Sequence, residues 1–119
     1  MSTRRQLRVA ELIRQELASM IIFDLRDPRL ALVSVTRVQV SSDLRHADVY
    51  ISSLEEEDAT RLEALAALRH ASGLLRRELG KRTILRYVPE LAFHFDDGLI
   101  ESQRMSDLLD DLASQEATP

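Results

Sequence analysis

The chain has 119 residues, 45% of them apolar and 30% charged, which suits one soluble globular domain and excludes a disordered chain. It has no cysteine, so a disulfide scaffold, a thiolate zinc site and a cysteine nucleophile are excluded, and no apolar run approaches the roughly 20 residues of a membrane span. The formal charge of −4 is uneven: 15 basic side chains face 13 acidic ones from Met1 to Phe95, whereas Asp96 to Pro119 holds one arginine and seven acids.

Residues 4–22 carry helical spacing, with Val9, Leu12, Ile13, Leu17, Met20 and Ile21 on one face and Arg4, Arg5, Arg8 and Arg14 around the remainder. The Asp27-Pro28-Arg29 triplet ends that helix, because proline moves its predecessor out of the helical region. A β-branched run over residues 31–41 predicts a strand, and its change of phase between Val35 and Val38 predicts a bulge or burial on both faces. Ser41-Ser42-Asp43 is a turn, followed by a strand from Arg45 to Leu54 with Ala47, Val49 and Ile51 inward. These two strands form an antiparallel hairpin.

The acidic run Glu55 to Asp58 precedes a helix whose N-terminus it favours, and Thr60 and Glu63 have capping-box spacing. Leu62, Leu65, Ala66 and Leu68 mark its apolar face. The pattern breaks at Ala71-Ser72-Gly73 and resumes with Leu75 and Leu79 before Gly80, read as a C-terminal cap. Two short helices joined by a kink are expected, with Gly73 at positive φ or at a close helix approach, so that alanine there destabilises. A third strand is expected over Glu90–Phe95, then a turn at Asp97-Gly98 and an amphipathic helix carrying Met105, Leu108, Leu109 and Leu112. Residues 1–112 thus read as one domain and 113–119 as a flexible tail. The crossover between the second and third strands makes them parallel. The expected fold is α+β, a three-stranded mixed sheet with helices on one face.

No catalytic constellation is present. His46, His70 and His94 lack ligand spacing, and no Gly-rich phosphate loop exists. Asp43 and His46 read as turn residues, and His94, Asp96 and Asp97 as a solvated strand end. The sequence therefore argues against an enzyme and assigns no metal and no cofactor. The cluster from Arg69 to Arg86 stands out, with Arg69, Arg76, Arg77, Lys81, Arg82 and Arg86 against Glu78 alone. Such density attracts phosphates through counterion release. Arginine outnumbers lysine fifteen to one, and its planar fork suits phosphate. Aromatic residues make up 4%, so backbone and shape recognition fit better than multi-base stacking.

The element order, with two helices flanking a kink between parallel strands, is similar to a type II KH domain. Its usual Gly-x-x-Gly turn is replaced here by Ala71-Ser72-Gly73, which departs from the backbone clamp on four nucleotides. That replacement resembles the ribosome-binding factor A family, as do Arg8-Val9-Ala10, Asp27-Pro28-Arg29, Ser42-Asp43-Leu44, Ala47 to Ser52, Leu85 to Phe93 and Arg104 to Leu109, in order across residues 4–112. The resemblance implies a cytoplasmic assembly factor that binds the free small (30S) ribosomal subunit, contacts 16S rRNA late in its maturation and is linked to cold adaptation. Small-subunit proteins or other assembly factors are further partners it implies, with no membrane and a monomeric state expected. Charge and position, not a family motif, make Arg4, Arg5, Arg8, Arg69, Arg76, Arg77, Lys81 and Arg82 the candidate phosphate contacts. A generic KH-like RNA binder and an adaptor using the acidic C-terminal helix are the alternatives.

Overall fold

The computed structural model describes residues 2–55 and 57–96. α1 (Arg4–Ser19) opens on a capping box: the Thr3 hydroxyl accepts the Gln6 N–H at 3.1 Å, and the Gln6 side chain accepts the Thr3 N–H at 2.8 Å. The helix then widens into a π-helical segment, Met20–Leu25, ended by Arg26 at φ 48°. The Asp27 carboxylate accepts the Arg29 N–H at 2.9 Å and caps a 3-10 turn, Pro28–Leu30. The helical run thus ends at Leu25, three residues beyond the expected end at residue 22, and Asp27 is extended ahead of Pro28 as expected.

β1 (Val33–Val40) pairs antiparallel with β2 (His46–Ser53), and the register shifts between Val35 and Arg37. Thr36 is the extra residue, and its hydroxyl oxygen lies 3.1 Å from the Tyr50 carbonyl. This is the bulge that the change of phase predicts. β3 (Glu90–Phe95) lies parallel to β2, Val49 opposite Phe93, giving the sheet order β1-β2-β3. Val33, Val35, Val38, Val40, Ala47, Val49, Ile51 and Phe93 point into the core with Ile13, Leu17, Met20, Leu68, Leu75 and Leu79. Ser34, Thr36, Gln39 and Asp48 face solvent, so the helices cover one face.

α2 (Asp58–His70) and α3 (Ser72–Arg82) differ in detail from the sequence reading. Glu57 occupies the N-cap of α2 without a side-chain bond, and Thr60 lies inside the first turn, so the capping box at Thr60 and Glu63 does not form. The buried face of α2 is Ala64, Leu65, Ala67 and Leu68, while Leu62 is 64% exposed. Small residues on that stripe let the helix lie close to the sheet. The bend falls at Ala71, whose φ −83° and ψ −2° place it in the bridge region between the two helices. Its N–H donates to Ala67 O at 3.0 Å and its carbonyl accepts the Leu75 N–H at 2.9 Å, so bonding continues across the bend.

Gly73 is already within α3, outside the left-handed region, and a Cβ built on it meets nothing within 4 Å. The expectation that it needs a glycine conformation is therefore corrected: Ala71 makes the bend by a rotation of ψ that any residue tolerates. Gly80 does not cap α3 either. The helix runs to Arg82 and ends where Thr83 turns extended, its hydroxyl donating to Leu79 O at 2.6 Å. The Asp97-Gly98 turn, the helix with Met105, Leu108, Leu109 and Leu112, and the tail 113–119 lie outside the described residues.

Candidate nucleic-acid interface

Gln6 anchors one end of the molecule. It is buried although polar, and its amide donates to Val40 O at 2.9 Å while its carbonyl serves the capping box. The first turns of α1, bearing Arg4, Arg5 and Arg8, are thereby tied to the last residue of β1. From there the chain turns through Ser41–Arg45, with Leu44 at φ 61° and its N–H donating to Ser41 O at 2.9 Å. The Asp43 carboxylate accepts the Ser41 hydroxyl at 2.6 Å and the Arg45 N–H at 3.1 Å. Those bonds, the hydroxyl foremost, hold its pKa below the usual value. The turn delivers Arg45 and His46 to the start of β2, where Arg45 O accepts the Glu90 N–H at 2.8 Å.

Residues 83–89 return the chain from α3 to that same end. Arg76 fixes their course: its Nε donates to Pro89 O and its Nη2 to Val88 O, each at 3.1 Å. Two depressions result, and Tyr87 lines both. One, of about 480 Å³, is also lined by Arg5, Val9, Asp43, Leu44, Ile84 and Arg86. The other, of about 340 Å³, is lined by Arg45, His46, Arg76, Val88 and Glu90. Four arginines from four different segments thus meet two carboxylates, and one of these, Glu90, lies 3.7 Å from the His46 ring.

Arg5 and Arg76 are the two sequence candidates that line these depressions, one each. Arg4, Arg8, Arg69 and Arg77 are exposed and make no ion pair with the described residues, but line neither depression. Lys81 and Arg82 sit elsewhere, at the end of α3 that packs by the π-helical segment. Arg82 bonds Asp24 at 2.6 Å and Glu78 at 3.4 Å, and Lys81 lies 3.6 Å from Glu78. The Asp24 carboxylate raises the already high pKa of Arg82. Among the described residues no group of three or more histidine, cysteine or acidic side chains has the arrangement of a metal site, and no helix is long and apolar enough to cross a membrane. The His94 ring lies 2.8 Å from Asp48, and Asp96 accepts from Thr36 and Arg37.

Sequence reasoning missed Arg45 and Tyr87, and assigned His46 to the turn alone. The parallel pairing of β2 and β3 was the signal for Arg45 and His46, since it puts the residues before β3 beside the residues before β2. Tyr87 is 70% exposed, a state that a lone aromatic between Arg86 and Val88 does not announce in sequence.

A helix-strand-strand-helix-bend-helix-strand order, a mixed sheet covered on one face and a bend at the position of the KH turn define a type II KH-like domain. The chain belongs to the ribosome-binding factor A family, whose model matches residues 5–109. It is 46% identical over 114 residues to ribosome-binding factor A of Chromohalobacter salexigens, covering 95% of this chain and 87% of the relative. Its fold is similar to the solution structure of a putative ribosome binding factor A of Thermotoga maritima, with TM-score 0.69, 34% identity and coverage of 83% of this chain and 93% of that one. It is also similar, at TM-score 0.62 and 33% identity, to a homology model of the Thermus thermophilus protein fitted into the cryo-EM map of a 30S–RbfA complex, covering 74% of this chain and 91% of that one.

Proposed function

We propose that this protein is a non-catalytic assembly factor that binds the free small ribosomal subunit and assists late maturation of its 16S rRNA. The observation that carries the reading is the likeness to the Thermus thermophilus protein fitted into a 30S complex map. The basic end supports it: Arg5 of α1, Arg45 of the β1–β2 turn and Arg86 of the loop before β3 line the two depressions that share Tyr87, where a phosphate backbone is best held. Arg4, Arg5, Arg8, Arg45, Arg69, Arg77 and Arg86 are the proposed phosphate contacts. The protein acts as a monomer in the cytoplasm, and it matters most in the cold, where misfolded RNA escapes slowly.

Co-sedimentation tests this directly. The protein is expected to migrate with free small subunits and to leave large subunits and translating ribosomes unbound. Equal binding to assembled ribosomes, or none to small subunits, refutes the reading.

A further inference from the structure

We propose that Tyr87 is the stacking platform for a single unpaired base of the bound RNA, flanked by Arg5 and Arg86 on one side and Arg45 on the other. This rests on the function just proposed and names the RNA feature that the basic end selects. Three observations carry it. First, Tyr87 is 70% exposed and lines both depressions, so a base laid on its ring has arginines within reach in each direction along its backbone. Second, the segment presenting it is held: Arg76 donates to the carbonyls of Val88 and Pro89, the Pro89 ring is buried, and Val88 Cγ2 abuts α3 at Gly80. A platform fixed in advance saves the entropy of ordering a loop on binding. Third, the other tyrosine is engaged within the protein. The Arg37 guanidinium lies 3.9 Å from the Tyr50 ring centroid, and the His94 ring is 5.3 Å away. Among the described residues Tyr87 has only a distant guanidinium, that of Arg86 at 5.7 Å from its centroid.

Every nucleobase has a π-face, so the platform requires an unstacked base and tolerates its identity. Asp43 and Glu90 line the same depressions and repel phosphate, which directs the backbone over the arginines. Arg76 is a positioning residue in this scheme, because its donors are already committed to the loop. One platform holds one base, and so differs from the two or three bases stacked on an RRM sheet.

The test compares wild-type protein with Tyr87→Phe and Tyr87→Ala on two probes: purified free small subunits, and a single-stranded RNA of about ten nucleotides. Tyr87→Ala is expected to weaken both by about 5- to 150-fold, and Tyr87→Phe to retain wild-type affinity within about twofold. The slope of log affinity against log salt stays unchanged in both, whereas Arg45→Ala reduces it by about 0.7. Thermal melts verify that the variants fold, as expected for so exposed a side chain. Stacking is overturned if Tyr87→Ala binds both probes like wild type, or if Tyr87→Phe loses as much as Tyr87→Ala. Wild-type protein that binds the oligonucleotide but not the subunit overturns the ribosomal reading instead, and the oligonucleotide series still decides the platform.

Discussion

Replacing Gly73 by alanine is expected to raise stability by about 0.5–1 kcal/mol. Glycine in a helix loses more backbone freedom on folding than alanine does, and here nothing offsets that loss. The residue is exposed in the first turn of α3, it is outside the left-handed region, and a Cβ has no neighbour within 4 Å. Because the first turn is less constrained than a helix centre, the lower half of the range is favoured. For a chain of this size the gain corresponds to a rise of roughly 2–5 °C in Tm, measured by circular dichroism melts of the two proteins side by side. Small-subunit binding should be unchanged, since the bend is made by Ala71 and the Arg76 bonds to the loop are untouched. A lower Tm would mean that residues 71–73 need a glycine conformation and that Ala71 does not make the bend by itself.

Arg76→Ala should cost roughly 1 kcal/mol of stability, near the low end for charged donors because one of its two carbonyl bonds is exposed, whereas Arg77→Ala should cost under about 0.5. In binding, Arg77→Ala should flatten the salt slope by about 0.7–0.9, and an unchanged slope would make Arg77 merely a solvated surface charge. Acid should also destabilise through the paired carboxylates. The Arg14 guanidinium, bonding Glu11 at 2.6 Å, lowers the Glu11 pKa from 4.5 to about 2, and Asp27 and Asp43 are lowered as well. A depressed folded pKa means the unfolded chain takes up the proton first, so this stability is complete above about pH 5 and is lost as pH falls towards 2. Melts of Glu11→Gln across that range should show a shallower pH dependence than wild type; superimposable curves would show that the Glu11–Arg14 pair contributes nothing.

Periodicity and punctuation carried most of the fold. The bounds of β3 and the parallel crossover were legible because alternation and Pro89 are local signals, while the phase change between Val35 and Val38 allowed a bulge or burial on both faces and the structure shows the bulge. Helix ends were less legible. Thr60 and Gly80 have the residue types of caps, but α2 starts at Asp58 and α3 continues to Arg82, where Thr83 bonds back to Leu79. Leu62 fits a helical stripe yet faces solvent, because the alanines at 64 and 67 set the face that the sheet accepts. The candidate site was legible in charge but not in place. Adjacency in sequence grouped Arg76 with Lys81 and Arg82, whereas the fold groups it with Arg5, Arg45 and Tyr87.

What separates the arginines is the company they keep. Arg14, Arg29, Arg37 and Arg82 are bound to carboxylates, and Arg26 and Arg76 to backbone carbonyls, so their donors serve the fold. Arg4, Arg5, Arg8, Arg45, Arg69 and Arg77 have no such partner among the described residues and can exchange water for phosphate at little cost. The acidic stretch starts at Asp96, which bonds Thr36 and Arg37 and follows the last residue of β3, while Arg45 and Glu90 lie at its first. Six strand residues separate the two ends by roughly 20 Å, more than two Debye lengths at physiological salt. A polyanion approaching Tyr87 and its arginines therefore meets the local positive potential, with Asp96 screened from it.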